Sequence, residues 1–268
     1  MTVAESEGRF EPAGCLRGTS GPTRHASPAR NIQYNVVMCA RFTLRTAPRW
    51  LSQSWLGGDW DSFTPRYNIA PSQEVAAFRY GVAPRGPDLV MLRWGLQPVA
   101  VPGSTARSLR INARSETVHQ KVSFRESFRL RRCVVLADGY YEWRRSGGGR
   151  QPYFVRLRDD RVFGFAGIWE SCREPGGAEF EACAILTTDA NPLTRRIHAR
   201  MPVILQRGGI EQWLDPDLDQ VDSLHPLMRP LAAAKLTLEA VSKYVNHVVH
   251  EGPECIQSVD PLVQRDLF

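Results

Sequence analysis

The 268-residue chain predicts an α+β fold, and three observations predict it. Strand-like runs outnumber helical ones, and the two kinds do not alternate as the βαβ units of a doubly wound sheet would. No internal repeat of fixed period is present, so one packed domain is the simplest division. With 43% hydrophobic and 23% charged residues there is apolar material for one sizeable core. The expected architecture is a single compact domain with a β-rich core and flanking short helices.

In chain order, residues 1–37 are rich in Gly, Pro, Ser, Arg and Glu without sustained periodicity, a composition that cannot bury enough surface to order. They read as a disordered leader absent from the mature protein, with the packed domain over 38–260 and a tail over 261–268. The stretch 36–44 opens that domain as a strand, and 46–56 follows with helical spacing and an early Pro48. Strands are expected at 75–80, 89–96, 133–143, 152–157, 162–170, 182–188 and 201–206, separated by Gly, Pro and charged turns. Helices are expected over 123–130, over 189–198 where Pro192 suits a first turn, over 209–215 and around 224–234.

No run approaches the roughly 18 apolar residues of a membrane span, and the chain start lacks an apolar signal core. The expected location is therefore the cytoplasm. A net charge of +6, carried mostly by arginine, permits a polyanionic partner, although a solvated surface would explain it equally well. The six cysteines form no CxxC pair and no disulfide-scaffold spacing, so neither zinc nor structural disulfides are expected. Cys133 and Cys183 lie inside apolar runs, where a free thiol behaves as a small hydrophobe.

Five segments place polar residues of catalytic type at strand ends or turns within apolar text. They are Met38-Cys39-Ala40-Arg41-Phe42, Tyr67-Asn68-Ile69-Ala70-Pro71, Ile111-Asn112-Ala113-Arg114, Asp138-Gly139-Tyr140-Tyr141-Glu142-Trp143 and Ile197-His198-Ala199-Arg200-Met201-Pro202. Thiol, carboxylate, imidazole, amide and guanidinium together make a nucleophile with its acid and base. Taken singly, each has a plainer reading. Glu142 could pair with Arg144 or Arg145 on an edge strand, His198 could cap a helix, and any one arginine could be surface charge.

The order of MCARF, RYNIAPSQ, RWGLQP, INARSETV, SFRESFRLRRCVVLADGYYEW, FAGIWE, ILTTDAN, IHARMPVIL and VSKYVN resembles the SOS response-associated peptidase (SRAP) family over 38–260. The resemblance implies a β-rich α+β domain with a basic groove for single-stranded DNA, and a mature chain that begins at Cys39. It implies Cys39, Asn112, Glu142 and His198 as the catalytic set: Cys39 as the crosslinking residue, Glu142 and His198 moving protons, Asn112 orienting the α-amine. It implies phosphate or DNA-backbone contacts from Arg41, Asn68, Pro71, Arg114 and Arg200. The implied partner is single-stranded DNA containing abasic sites, bound by a monomer without cofactor or metal.

An N-terminal cysteine suits that chemistry because only a free α-amine can form a Schiff base with the abasic aldehyde before the thiol closes a thiazolidine. Three departures from the family are visible. Ala40 stands where many members have glycine. Val99-Ala100-Val101 stands where a further tryptophan is usual, so that another aromatic substitutes or DNA affinity falls. The 37 residues before Met38 would block the reaction if retained, so either translation starts at Met38 or the protein removes its own leader. Two other readings stand beside this one: a cysteine peptidase acting in trans, and a passive single-stranded DNA binder.

Overall fold

Two β-sheets carry the chain, which a computed structural model describes over residues 40–48, 60–80, 86–97, 109–146, 149–174, 176–218 and 220–260. All of these belong to one compact unit. Cys39, Pro98 to Ala100, Val101, the leader 1–37 and the tail 261–268 lie outside the described residues, as does most of the helix expected over 46–56.

The first sheet contains β1 (Phe42–Leu44), β2 (Arg66–Ile69), β7 (Gly139–Ser146), β8 (Gly149–Leu157) and β13 (Leu236–Ala240) in the order β13-β8-β7-β1-β2. The second contains β3 (Glu74–Tyr80), β4 (Pro87–Trp94), β5 (Asn112–Arg114), β6 (Arg132–Ala137), β9 (Phe163–Arg173), β10 (Glu179–Asp189), β11 (Arg200–Pro202) and β12 (Ile204–Leu205). Its order is β11-β10-β4-β3-β6-β9-β12, and β9 also pairs with β10. That extra pairing closes β10-β4-β3-β6-β9 into a five-strand ring, which hides the sheet edges. The closure requires close backbone approach at Gly167, where a Cβ would lie 2.9 Å from Cys133 Sγ and 3.2 Å from the Ala184 carbonyl.

The expected strand over 133–143 is two strands in two different sheets, and Asp138 is the corner between them. Its fully buried carboxylate accepts from Thr43 Oγ1 at 2.6 Å, Arg45 N at 2.6 Å, Thr46 N at 2.9 Å and Arg45 Nε at 3.1 Å. One buried acid thus ties the end of β1 to the start of β7, satisfied as a buried charge must be. Phe42 of β1 then meets Trp94 and Phe165 of the ring edge-on at 5.1 and 5.6 Å, joining the sheets through the core. Cys133 and Cys183 are buried in the ring, where desolvation pushes both thiols up.

The helices are short: α1 (Arg125–Leu130), α2 (Arg207–Leu214) and α3 (Val221–Leu224). Arg132 gives its guanidinium to the carbonyls of Phe128, Arg129, Trp213 and Asp215, satisfying C-terminal acceptors of α1 and α2 together. Between 189 and 198 only a 3-10 turn, Thr194–Arg196, forms. The Asn191 amide oxygen captures the N–H groups of Leu193 and Thr194, and this local bond competes with helix formation. No helix among the described residues is long and apolar enough to cross a membrane.

Candidate active site

Glu142 projects from β7 opposite Tyr153 of β8 and is only 6% exposed. It lines a cleft of about 360 Å³ together with Trp143, Arg144, Arg145, Arg150 and His198. The first sheet supplies Glu142, while the turn leading into β11 of the second supplies His198. Arg144 and Arg145 follow Glu142 on the same strand. Both arginines are exposed, as is Arg150, so together they form a basic rim. Arg144 lies over the Tyr153 ring at 5.2 Å.

His198 is placed by the Asn191 turn, and its backbone N–H donates to the Thr194 carbonyl at 3.1 Å. Its Nδ1 accepts the Arg200 backbone N–H at 3.1 Å. The same Nδ1 lies 3.3 Å from the Arg200 carbonyl, so the Arg200 backbone faces this nitrogen with both a donor and an acceptor.

Three of the residues expected to touch DNA are engaged within the protein itself. Asn68 is 1% exposed and uses both ends of its amide: Oδ1 accepts from Arg41 Nη1 at 2.6 Å, and Nδ2 donates to the carbonyls of His247 and His250 at 2.9 and 2.7 Å. It lies in strand β2 rather than in the turn expected of it. Pro71 is also buried. It sits in the turn from Ala70 to Gln73, where Ser72 takes φ 72° and Gln73 N donates to the Ala70 carbonyl at 3.3 Å. Arg200, expected to grip phosphate, has its fork filled by carboxylates: Glu116 at 2.6 and 2.7 Å and Asp189 at 2.8 Å. Burial alone would lower its pKa, but these hydrogen bonds and charges outweigh burial and raise it.

Arg41 is half-buried. Besides Asn68, its Nη1 reaches the Val245 carbonyl at 3.0 Å, and its guanidinium carbon stands 5.8 Å from the Trp143 ring centroid. Asn112 and Arg114 lie on strand β5, parallel to β10, with Asn112 opposite Ile185 and Arg114 opposite Thr187. Strand alternation puts both on one face and buries Ala113 on the other. Arg114 is exposed, and its guanidinium makes no hydrogen bond, ion pair or ring contact among the described residues. Cys39 is outside the described residues; Ala40, to which it is bonded, enters the first sheet through Arg41.

The arrangement brings Glu142 and His198 into one cleft and sets Arg41 beside it through Trp143. It groups Asn112, Arg114 and Arg200 around the end of β10, where both Ser115 N and Arg200 Nη2 donate to the Thr187 carbonyl. Sequence reasoning passed over Trp143, Glu116 and Asn246 as individuals. Trp143 Nε1 donates to Asn246 Oδ1 at 2.7 Å, and the presence of Asn246 in VSKYVN was the available signal. Glu116, two residues past Arg114, offered none beyond its charge. No cluster of three or more potential metal ligands occurs among the described residues.

A closed β-ring with an attached sheet, bearing a carboxylate and an imidazole in one arginine-rimmed cleft, defines the protein as a β-rich α+β fold. The chain belongs to the SOS response associated peptidase (SRAP) family, whose model matches residues 38–248. It is 35% identical over 229 residues to the abasic site processing protein YoqW of Bacillus subtilis (strain 168), covering 82% of this chain and 100% of that one. It is 32% identical over 254 residues to the abasic site processing protein HMCES of Gallus gallus, covering 83% and 73%. Among solved structures, a protein from Bacteroides thetaiotaomicron superposes with a TM-score of 0.69 at 25% identity, covering 82% of this chain and all of that one.

Proposed function

We propose that this chain senses abasic sites in single-stranded DNA and captures them covalently through Cys39 as its first residue. The observation that carries the proposal is the meeting of Glu142 and His198 in one arginine-rimmed cleft, in a chain whose relatives are named abasic site processing proteins. An opened abasic site presents an aldehyde. The α-amine, with a reference pKa of about 7.7–8.0, is partly neutral near pH 7 and condenses with the aldehyde to an imine, releasing one water. The Cys39 sulfur then adds to the imine carbon while the nitrogen takes up the thiol proton, which closes a thiazolidine.

In this scheme Glu142 moves protons during sugar opening and imine formation, and His198 supplies or removes a proton. Asn112 orients the α-amine, and Arg114 holds a phosphate. Arg41 and Asn68 act indirectly, by fixing the strand that follows Cys39. The reaction needs no cofactor and one copy of the chain. It does require that the residues before Cys39 be gone, by initiation at Met38 followed by removal of that methionine, or by self-cleavage.

The test is to treat a form beginning at Cys39 with a single-stranded oligonucleotide carrying one abasic site. An SDS-resistant adduct is expected, with none on intact DNA. Equal adduct yields from Cys39→Ala and the parent would overturn the proposal.

A further inference from the structure

We infer that the loop following β13 presents a stacking platform for a nucleobase, formed by the Tyr244 and His250 rings. The inference rests on the reading that the chain binds single-stranded DNA, and names side chains that receive a base beside the lesion.

The two rings lie 3.9 Å apart and inclined by 16°. The other aromatic pairs among the described residues are inclined by 43° or more, as core packing favours. This one flat stack is at the surface, since Tyr244 is 39% exposed. Val248 and Val249 in the same loop are 46% and 88% exposed, so the loop presents apolar surface to solvent.

That surface is held rigidly from beneath. Tyr244 N donates to Ser242 Oγ at 3.2 Å, and His250 Nδ1 lies 2.6 Å from the Tyr244 carbonyl. The buried Asn68 amide holds the carbonyls on either side of the exposed valines, and Arg41 Nη1 holds that of Val245. A preorganised ring pair loses little freedom when a flat ligand stacks on it.

The ligand class follows from where the platform sits. Asn246, two residues from Tyr244, accepts from Trp143 Nε1, and Trp143 lines the Glu142–His198 cleft. The cleft rim is Arg144, Arg145 and Arg150, which suits phosphates. Aromatic stacking beside a basic groove is the combination by which proteins hold single strands without regard to sequence. A protein partner would be served by the exposed valines but would not require the parallel rings.

The test measures Kd for an intact single-stranded oligonucleotide by fluorescence anisotropy with the parent, Tyr244→Ala and Tyr244→Phe. Tyr244→Ala is expected to weaken binding by about 5- to 150-fold, the range for loss of one base–aromatic stack, and Tyr244→Phe to restore it. Removing single bases in turn, with a tetrahydrofuran residue at successive positions, should locate one position whose loss costs the parent as much but costs Tyr244→Ala nothing further. An unchanged Kd for Tyr244→Ala, or base-removal costs equal in the two proteins at every position, would overturn the platform. The parent is assayed separately for adduct formation on abasic DNA. Failure there with ring-dependent binding intact would sink the crosslinking reading and leave the platform standing.

Discussion

Arg200 and Glu116 form a two-point ion pair, Nη1 to Oε1 at 2.6 Å and Nη2 to Oε2 at 2.7 Å, linking β11 to the turn after β5. Arg200 Nη2 also donates to the Thr187 carbonyl, and the Arg200 backbone N–H holds His198 Nδ1. One guanidinium therefore joins the strand that positions Arg114 to the segment that positions His198. Partial burial raises the Glu116 pKa, but hydrogen bonding and charge from Arg200 more than offset it and hold the carboxyl below its usual range.

The depressed pKa gives a pH prediction. A carboxyl whose folded pKa lies below its unfolded value, about 4.3 for Glu, contributes stability that is present above that value. The contribution is lost as pH falls through the folded pKa. Glu116→Gln should therefore destabilise the protein at pH 6 and matter less at pH 3, so that the two melting curves converge in acid. Parallel melting temperatures across that range would assign no proton-linked stability to the pair.

Asn68 gives the clearest stability prediction. Replacing it with Ala removes three hydrogen bonds and strands the carbonyls of His247 and His250 in a partly buried setting. An expected loss of about 2–4 kcal/mol follows from the cost of leaving buried partners unsatisfied. Urea unfolding measures it. A loss under about 0.5 kcal/mol would mean that water replaces the amide freely.

These two residues mark the limit of what the sequence made legible. The long apolar runs became β3, β4, β6, β8, β9 and β10, because extended apolar segments of that length have few other ways to bury themselves. Strands β2, β5 and β13 went unread: each is only three to five residues, too short for alternation to register. Glu142 and His198 were readable through their motifs, but that they share a cleft is a property of two sheets meeting. The pairing of Arg200 was not readable because its partners Glu116 and Asp189 are 84 and 11 positions away in the chain. Charge type alone does not say whether a guanidinium faces phosphate or a carboxylate of its own protein.

Arg114 differs from Arg200 in having an uncommitted side chain, and it should behave as a phosphate contact. Arg114→Ala is expected to weaken binding to intact single strands, and to reduce the slope of log K against log salt by about 0.7, the value for one phosphate on a single strand. Titrations at several salt concentrations decide it. An unchanged slope would place the groove elsewhere.

Glu142→Gln keeps the shape of the side chain and removes its transferable proton. The single-turnover rate of adduct formation should fall by about 10²- to 10⁴-fold, while DNA affinity and melting temperature change little. A rate equal to the parent's would make Glu142 a structural group of the cleft wall.

The last prediction concerns the chain ahead of Cys39. Thiazolidine closure uses the α-amine and the thiol of one residue, and a peptide bond before Cys39 would convert that amine to an amide with no basic lone pair to attack an aldehyde. Any retained residue, even Met38 alone, should therefore abolish the adduct rather than slow it. A peptidase using the Cys39 thiolate would not share that requirement, because its nucleophile is the sulfur alone. Two proteins separate these cases: one beginning at Cys39, and one keeping residues 1–37 with Met38→Ala, which prevents internal initiation. Intact mass reports whether the second loses its leader, and an abasic oligonucleotide reports adduct formation. The expected result is crosslinking only by molecules whose mass begins at Cys39. If the protein that retains its whole leader crosslinks abasic DNA through Cys39 at the same yield, the α-amine takes no part and the proposed chemistry is wrong.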